Sequence, residues 1–184
     1  MAATLLRFCS FWMYPSTAAI LLVAANRAEP EPSPVALLWL VPTGVLLWSL
    51  LEYGLHRLVF HWNSRIPTVR KIVRQFHLFH HAEPRRKDQI LVRARFSVPM
   101  SIAILASLHA ITDSPFQTIG IMAGIWTGFL YYEWVHYNVH TSSANLGLAA
   151  HRRRHFIHHF IDDKSCYGVT SPLWDRLLGT YRKV

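Results

Sequence analysis

Residues 116–140 read Phe-Gln-Thr-Ile-Gly-Ile-Met-Ala-Gly-Ile-Trp-Thr-Gly-Phe-Leu-Tyr-Tyr-Glu-Trp-Val-His-Tyr-Asn-Val-His, an apolar run that ends in a histidine pair, His136 and His140. The first twenty of these residues, at 1.5 Å per residue, reach about 30 Å, the thickness of a bilayer's hydrocarbon core. The pair that follows is spaced i, i+4 and so lies on one helix face. A membrane helix that delivers imidazoles to one edge of the bilayer is the reading to extend along the chain.

Three further apolar stretches accompany it: residues 11–25, broken by Pro15, then residues 35–53 and 96–111. The second and fourth stretches are long enough to span, and the first and third barely so. Composition agrees with a membrane class: 52% of the 184 residues are hydrophobic and only 16% charged, with a mean hydropathy of +0.19. The expected fold is all-α and integral to the membrane. It has about four transmembrane helices in two hairpins and a histidine-rich helical cap, all in a single domain over residues 1–184 with its core at about 40–182.

Charge sets the orientation. Ten of the Lys and Arg residues fall between Arg57 and Arg95, and seven follow from Arg152 onward. The connection at 26–34 carries Arg27, Glu29 and Glu31, and the one at 112–115 only Asp113. By the positive-inside rule the long loop and the C-terminal tail face the cytoplasm, of a bacterial inner membrane or of the endoplasmic reticulum. The same topology accounts for the net charge of +9 without a nucleic-acid partner. A cleaved signal peptide at 1–28 is the lesser reading, since Arg7 makes a thin basic region and Ala25 to Ala28 a poor cleavage site. Cys9 and Cys166 form no metal or disulfide pattern.

Four histidine groups then fall on the cytoplasmic side: His56 and His61; His77, His80 and His81; His136 and His140; His155, His158 and His159. Ten neutral imidazoles suit two metal ions with about five ligands each. His56 and His61 are five apart and need a helix end or a local distortion to share a face. The chain also repeats itself: a pair and a triplet separated by 16 residues, then a pair and a triplet separated by 15. This predicts two similar half-sites. His109 and His151 lie outside the pattern and are expected to be ordinary residues. Glu52 and Glu133, three or four residues before His56 and His136, are costly near a membrane and are expected to support the histidines by accepting their ring N–H groups. The alternative for Glu52 is an ion pair with Arg57.

The histidine pattern, with Leu51-Glu-Tyr-Gly-Leu-His-Arg57, Tyr167-Gly-Val-Thr-Ser-Pro-Leu-Trp-Asp175 and Gly179-Thr-Tyr181, resembles the fatty acid hydroxylase and sterol desaturase superfamily, nearest its fatty acid (ceramide) 2-hydroxylase branch. The resemblance implies a lipid-metabolising monooxygenase. Such an enzyme uses two iron ions, replaceable by zinc on isolation, and O₂ to hydroxylate an acyl chain drawn from the bilayer. The metal pair itself is the catalytic element, with no separate acid or base. No haem-binding or dinucleotide-binding sequence stands in the chain, so electrons are expected from a separate donor such as cytochrome b5 or a ferredoxin. Phe60, Phe79, Tyr132, Trp134 and Tyr137 are candidates to line the substrate pocket, and Trp62 lies beside them. Carotenoid hydroxylation, lipid desaturation and, outside enzymes, metal transport are the competing readings.

Overall fold

The computed structural model describes residues 9–28, 33–144 and 146–183, so Glu29, Glu31 and Arg7 lie outside the described residues. Among the described residues the chain is helical and contains no strand. Eight helices follow in order: α1 (Cys9–Ala28), α2 (Leu37–Gly54), α3 (Pro67–Val73), α4 (Phe79–Ala82), α5 (Ala94–Thr112), α6 (Pro115–Thr141), α7 (Ala149–Phe160) and α8 (Leu173–Leu177). Two π-helical turns are inserted, Leu55–Phe60 directly after α2 and Arg74–Leu78 between α3 and α4.

The helices divide between two compact units, residues 1–48 with 93–130 and residues 49–92 with 131–184. In the first unit α2 and α6 touch backbone to backbone. Gly44 and Gly124 face each other, and a Cβ on Gly124 would stand 2.8 Å from the Gly44 Cα and collide with the Val41 carbonyl. Small residues at such a crossing let two apolar helices approach more closely than side chains permit. Beyond the crossing, Trp48 lies over Gly128 and meets Phe129 edge-on at 5.2 Å, while Tyr14 of α1 packs on Trp126 and Phe129. The Trp126 indole N–H donates to the Ser101 hydroxyl of α5 at 3.1 Å. Met122, Ile125 and Phe129 are buried, which makes α6 the inner helix of this unit.

Among the described residues, two helices are long and apolar enough to cross a membrane, Leu37–Phe60 and Ala94–Thr112, and only 22% and 6% of their apolar windows are buried inside the fold. Apolar helices with so much outward-facing surface need an apolar surround, as a core helix of a soluble protein does not. The chain is a membrane protein. The third apolar stretch, expected to be barely long enough, is thus a full 19-residue helix. The fourth builds a 27-residue helix that buries Phe116, Ile119, Met122, Ile125, Trp126 and Phe129 in the interior of the fold.

Replacing Gly124 with Leu forces α2 and α6 apart, and the yield of folded protein in detergent falls severely. Gly54→Ala, with open space around it, keeps the wild-type yield and melting temperature. Size-exclusion profiles of the two variants check this, and a monodisperse, stable Gly124→Leu protein would contradict the close crossing.

Candidate metal centre

The second unit holds all ten motif histidines. A π-helical turn has i→i+5 hydrogen bonds, and the one at Leu55–Phe60 brings positions five apart onto one face. It is the local distortion that His56 and His61 require. The second π-helical turn leads into α4 and carries His77, with His80 and His81 on α4 itself. His136 and His140 close α6, and α7 carries His155, His158 and His159.

The ligand atoms converge in two sets of five. His56, His61, His77, His81 and His158 form one set, and His80, His136, His140, His155 and His159 the other, with all ligand atoms of a set within 4.8 Å of one another. Each set takes four histidines from one repeat and one from the other, because the middle residue of each triplet crosses over. Helix phase explains the exchange. At about 100° per residue, positions i and i+4 point within about 40° of each other, while i+3 points about 60° the other way. On α7, His155 and His159 therefore face one set and His158 the other. The two sets abut: the His81 and His159 rings stack with centroids 4.1 Å apart and planes at 13°.

The spacing and the tautomers fit metal ions. The Nε2 atoms of His56 and His77, and of His77 and His81, lie 2.9 Å apart; those of His61 and His158, and of His80 and His136, 3.0 Å; those of His140 and His155, 2.7 Å. Neighbouring ligands about 2.1 Å from one ion stand roughly 3 Å apart. The Nδ1–H of His56 donates to the Tyr167 carbonyl at 2.6 Å, that of His136 to the Ile90 carbonyl at 3.1 Å and that of His158 to the Ser165 carbonyl at 2.8 Å. With the proton held on Nδ1, each Nε2 presents a lone pair. His159 is a further sign, since both its ring nitrogens are buried with no hydrogen-bond partner among the described residues. Buried polar atoms are rarely left in that state, and a metal ion satisfies one of them.

Burial keeps these side chains neutral. Desolvation, with repulsion from neighbouring imidazoles, pulls His80 down to about 2 and His81 to about 3 from the ordinary 6.5. It brings His140 and His158 to about 4 and drives His77, His155 and His159 well down. Neutral imidazole is the form that binds a metal.

Glu52 and Glu133 reach the histidines indirectly. Glu52 is buried and accepts the backbone N–H groups of Val169 and Thr170 at 2.7 and 2.9 Å and the Thr170 hydroxyl at 2.6 Å. It fixes the loop whose Tyr167 carbonyl holds His56. Glu133 accepts the Val92 N–H at 3.0 Å, two residues beyond the Ile90 carbonyl that holds His136. Arg57 donates to the Tyr53 hydroxyl at 2.7 Å, not to Glu52. A third carboxylate escaped the sequence reading. Asp175, fully buried, accepts the N–H groups of Tyr167 and Gly168 at 2.9 and 2.8 Å and the Thr180 hydroxyl at 2.7 Å. Its place in the Trp174-Asp175 end of the quoted motif was the available signal.

Of the pocket candidates, the Phe60 ring lies 5.2 Å from that of His77, and Tyr132 stacks on His136 at 5.4 Å. Phe79 lines an open cleft together with His61 and Trp62. Trp134 stacks on Tyr131 and is partly exposed, and Tyr137 is half-buried. His109 sits in the first unit beside Thr118, and His151 donates from Nε2 to the Thr170 carbonyl, so neither joins a set.

The fatty acid hydroxylase family profile matches residues 41–180. The chain belongs to the fatty acid hydroxylase family. It is 30% identical over 173 residues to dihydroceramide fatty acyl 2-hydroxylase FAH2 of Arabidopsis thaliana, covering 93% of this chain and 70% of that one. It is 28% identical to ceramide very long chain fatty acid hydroxylase SCS7 of Saccharomyces cerevisiae and 30% identical to human fatty acid 2-hydroxylase. In these two matches it is covered over 75% and 72% of its length and spans 36% of each relative. The solved structure of full-length scs7p, in which only the hydroxylase domain is visible, superposes with a TM-score of 0.87 at 23% identity, over 96% of this chain and 67% of that one. The fold is therefore that of the hydroxylase domain. Family membership makes the chain an oxidoreductase and sets the hydroxylase reading above carotenoid hydroxylation, desaturation and metal transport.

The lowered imidazole values give the metal centre a definite pH response. Unfolded imidazoles take up protons below about pH 6.5 while the folded ones resist, so the unfolded chain binds more protons and stability falls as the pH drops. Metal content after dialysis and the melting temperature both decline between about pH 6 and pH 4, where His140 and His158 reach their own folded values near 4. An unchanged melting temperature from pH 7 to 4.5 would contradict this. Asp175→Asn weakens one loop clamp, and the purified variant holds less metal than wild type.

Proposed function

We propose that the protein is a di-iron hydroxylase that inserts oxygen into a C–H bond of a lipid acyl chain, at the carbon next to the carbonyl as the names of its relatives indicate. The observation that carries this reading is the pair of five-histidine sets in contact with each other, on a fold shared with a hydroxylase domain. His56, His61, His77, His81 and His158 would hold one ion, and His80, His136, His140, His155 and His159 the other. Bound iron supplies O₂ activation and the oxidising equivalent for C–H hydroxylation.

The chain's own residues do the rest. Ten neutral donors leave the ion pair its full positive charge, and the Tyr167, Ser165 and Ile90 carbonyls fix three rings so that their Nε2 atoms stay aimed. Glu52, Glu133 and Asp175 hold the loops that carry or adjoin these carbonyls. The site residues and their supports act within one membrane-embedded domain over residues 1–184. In this reading the chain crosses the bilayer four times in two hairpins, and the histidine-rich helices form a cytoplasmic cap, as the basic residues of 57–95 and 152–183 favour. Electrons come from a separate donor, and Phe60, Phe79, Tyr132, Trp134 and Tyr137 remain the pocket candidates.

Expression in a host with a cytochrome b5 or ferredoxin donor, followed by lipidomics, tests the reaction. The wild type yields 2-hydroxylated acyl lipids, and His155→Ala and His80→Ala lower the product at least about a hundredfold. Purified wild type carries about two metals per chain and shows no Soret band. Equal product from His155→Ala, or no hydroxylated lipid from wild type, would refute the proposal.

A further inference from the structure

A cleft of about 370 Å³ in the second unit is lined by His61, Arg70 and Arg74 among others. Its apolar lining includes Trp62, Leu78 and Phe79, and Trp62 and Phe79 are about half exposed. Arg70 and Arg74 are four apart along α3 and the π-helical turn that follows it, so they share a face. Both are exposed, and neither has a carboxylate partner among the described residues, whereas Arg86 and Arg182 are both paired. A second cleft continues the first along Arg70, Arg74 and Phe79 and adds Lys71. In the chain, Trp62 stands two residues beyond the candidate span Leu37–Phe60, the depth at which aromatic rings and lipid headgroups meet.

We propose that this cleft is a subsite for the anionic head of the acyl lipid. A phosphate or carboxylate is held by the Arg70 and Arg74 guanidinium groups, and the first carbons of the acyl chain run over Trp62, Leu78 and Phe79 toward His61. This deepens the hydroxylase reading and rests on it for the word substrate. The fork of a guanidinium matches two oxygens of a phosphate or carboxylate, and a pair of them can chelate one head. A cleft of this size holds a head and the first part of a chain and leaves the remainder to the bilayer. The aromatic lining supplies the apolar wall that a free inorganic anion has no use for.

The full chain in detergent, analysed by native mass spectrometry, tests the subsite without requiring turnover. Probes are phosphatidylglycerol and diacylglycerol with matched acyl chains, palmitate and its methyl ester, and inorganic phosphate. Wild type prefers phosphatidylglycerol and palmitate to their uncharged-head counterparts. Arg70→Gln with Arg74→Gln lowers that affinity about tenfold, and the Lys pair at the same positions restores only part of it. Arg85→Gln with Lys87→Gln, an equal loss of charge on exposed residues outside the cleft, leaves the preference in place. Equal loss from both double variants would reduce the effect to diffuse surface charge and overturn the proposal. So would full competition by inorganic phosphate, which marks a free-anion site. It would also be overturned if the cleft variant kept its lipid preference and lost only turnover driven by a protein donor, because the face would then dock that donor. If no lipid is hydroxylated yet the cleft variant loses its preference, the hydroxylase reading falls and the headgroup site stands.

Discussion

Ten imidazole nitrogens brought together without water set the terms for the rest of this structure. His77 Nε2 lies 2.9 Å from two other Nε2 atoms at once. His56 already has its proton committed to Nδ1 by the Tyr167 carbonyl. Lone pairs that face one another at hydrogen-bond distance repel unless a cation stands between them. The same burial that removes water also removes protonation as an escape, because a charged imidazole is penalised by desolvation and by its neighbours. Metal ions satisfy both conditions together. The fold is therefore built around a charge that its own side chains do not supply.

That constraint explains where the carboxylates are. A carboxylate taking the ring N–H of each histidine would bring negative charge next to the ion pair. Here the ring protons of His56, His136 and His158 go to neutral carbonyls, and the acids sit a step further out on backbone amides. Glu52 receives three donors and Asp175 receives three from side chain and backbone together. Both clamp the segment 167–170, so the C-terminal loop is held from two sides where it presents the Tyr167 carbonyl to His56. Gly168 allows this, since a Cβ there would meet the Asp175 carboxylate at 2.9 Å and the Ser171 carbonyl. The second set is held more sparely. Glu133 has one donor, and the Nδ1 atoms of His80 and His155 are buried without a partner among the described residues. The two sets are alike in ligand type and unlike in support.

What could be read from the chain followed from spacing. The four histidine groups, the apolar stretches and the repeat are written in residue types at fixed intervals, and they pointed to the candidate site and the helical class. The repeat also invited a division into one set per half. The structure exchanges His80 and His158 instead, and the reason is present in the spacing as the difference between i+3 and i+4. The carbonyls of Ile90, Ser165 and Tyr167 could not have been found in this way, because a backbone oxygen has no residue type. Hydropathy marked α6 as long enough to span but could not show its packing: Met122, Ile125 and Phe129 are buried, and the glycines of α6 serve contacts with α2 that a hydropathy sum cannot register.

The short helices show how far the centre and the fold depend on each other. Helices α3, α4 and α8 have seven, four and five residues, and isolated helices below about 12 residues are marginal in water. α4 and the π-helical turn before it supply His77, His80 and His81, while Leu78 is only half-buried and Phe79 is exposed. α8 is tied down by Asp175 and by the Trp174 indole N–H, which donates to Ser49 at 2.9 Å. The segment 74–82 has no comparable polar anchor among the described residues beyond its imidazoles. It feeds both sets, two ligands to one and one to the other, and so it is the piece of chain whose order is worth most to the metal centre and gains most from it. A site assembled from four separated stretches of sequence thus makes ligation and local folding the same event in this part of the molecule.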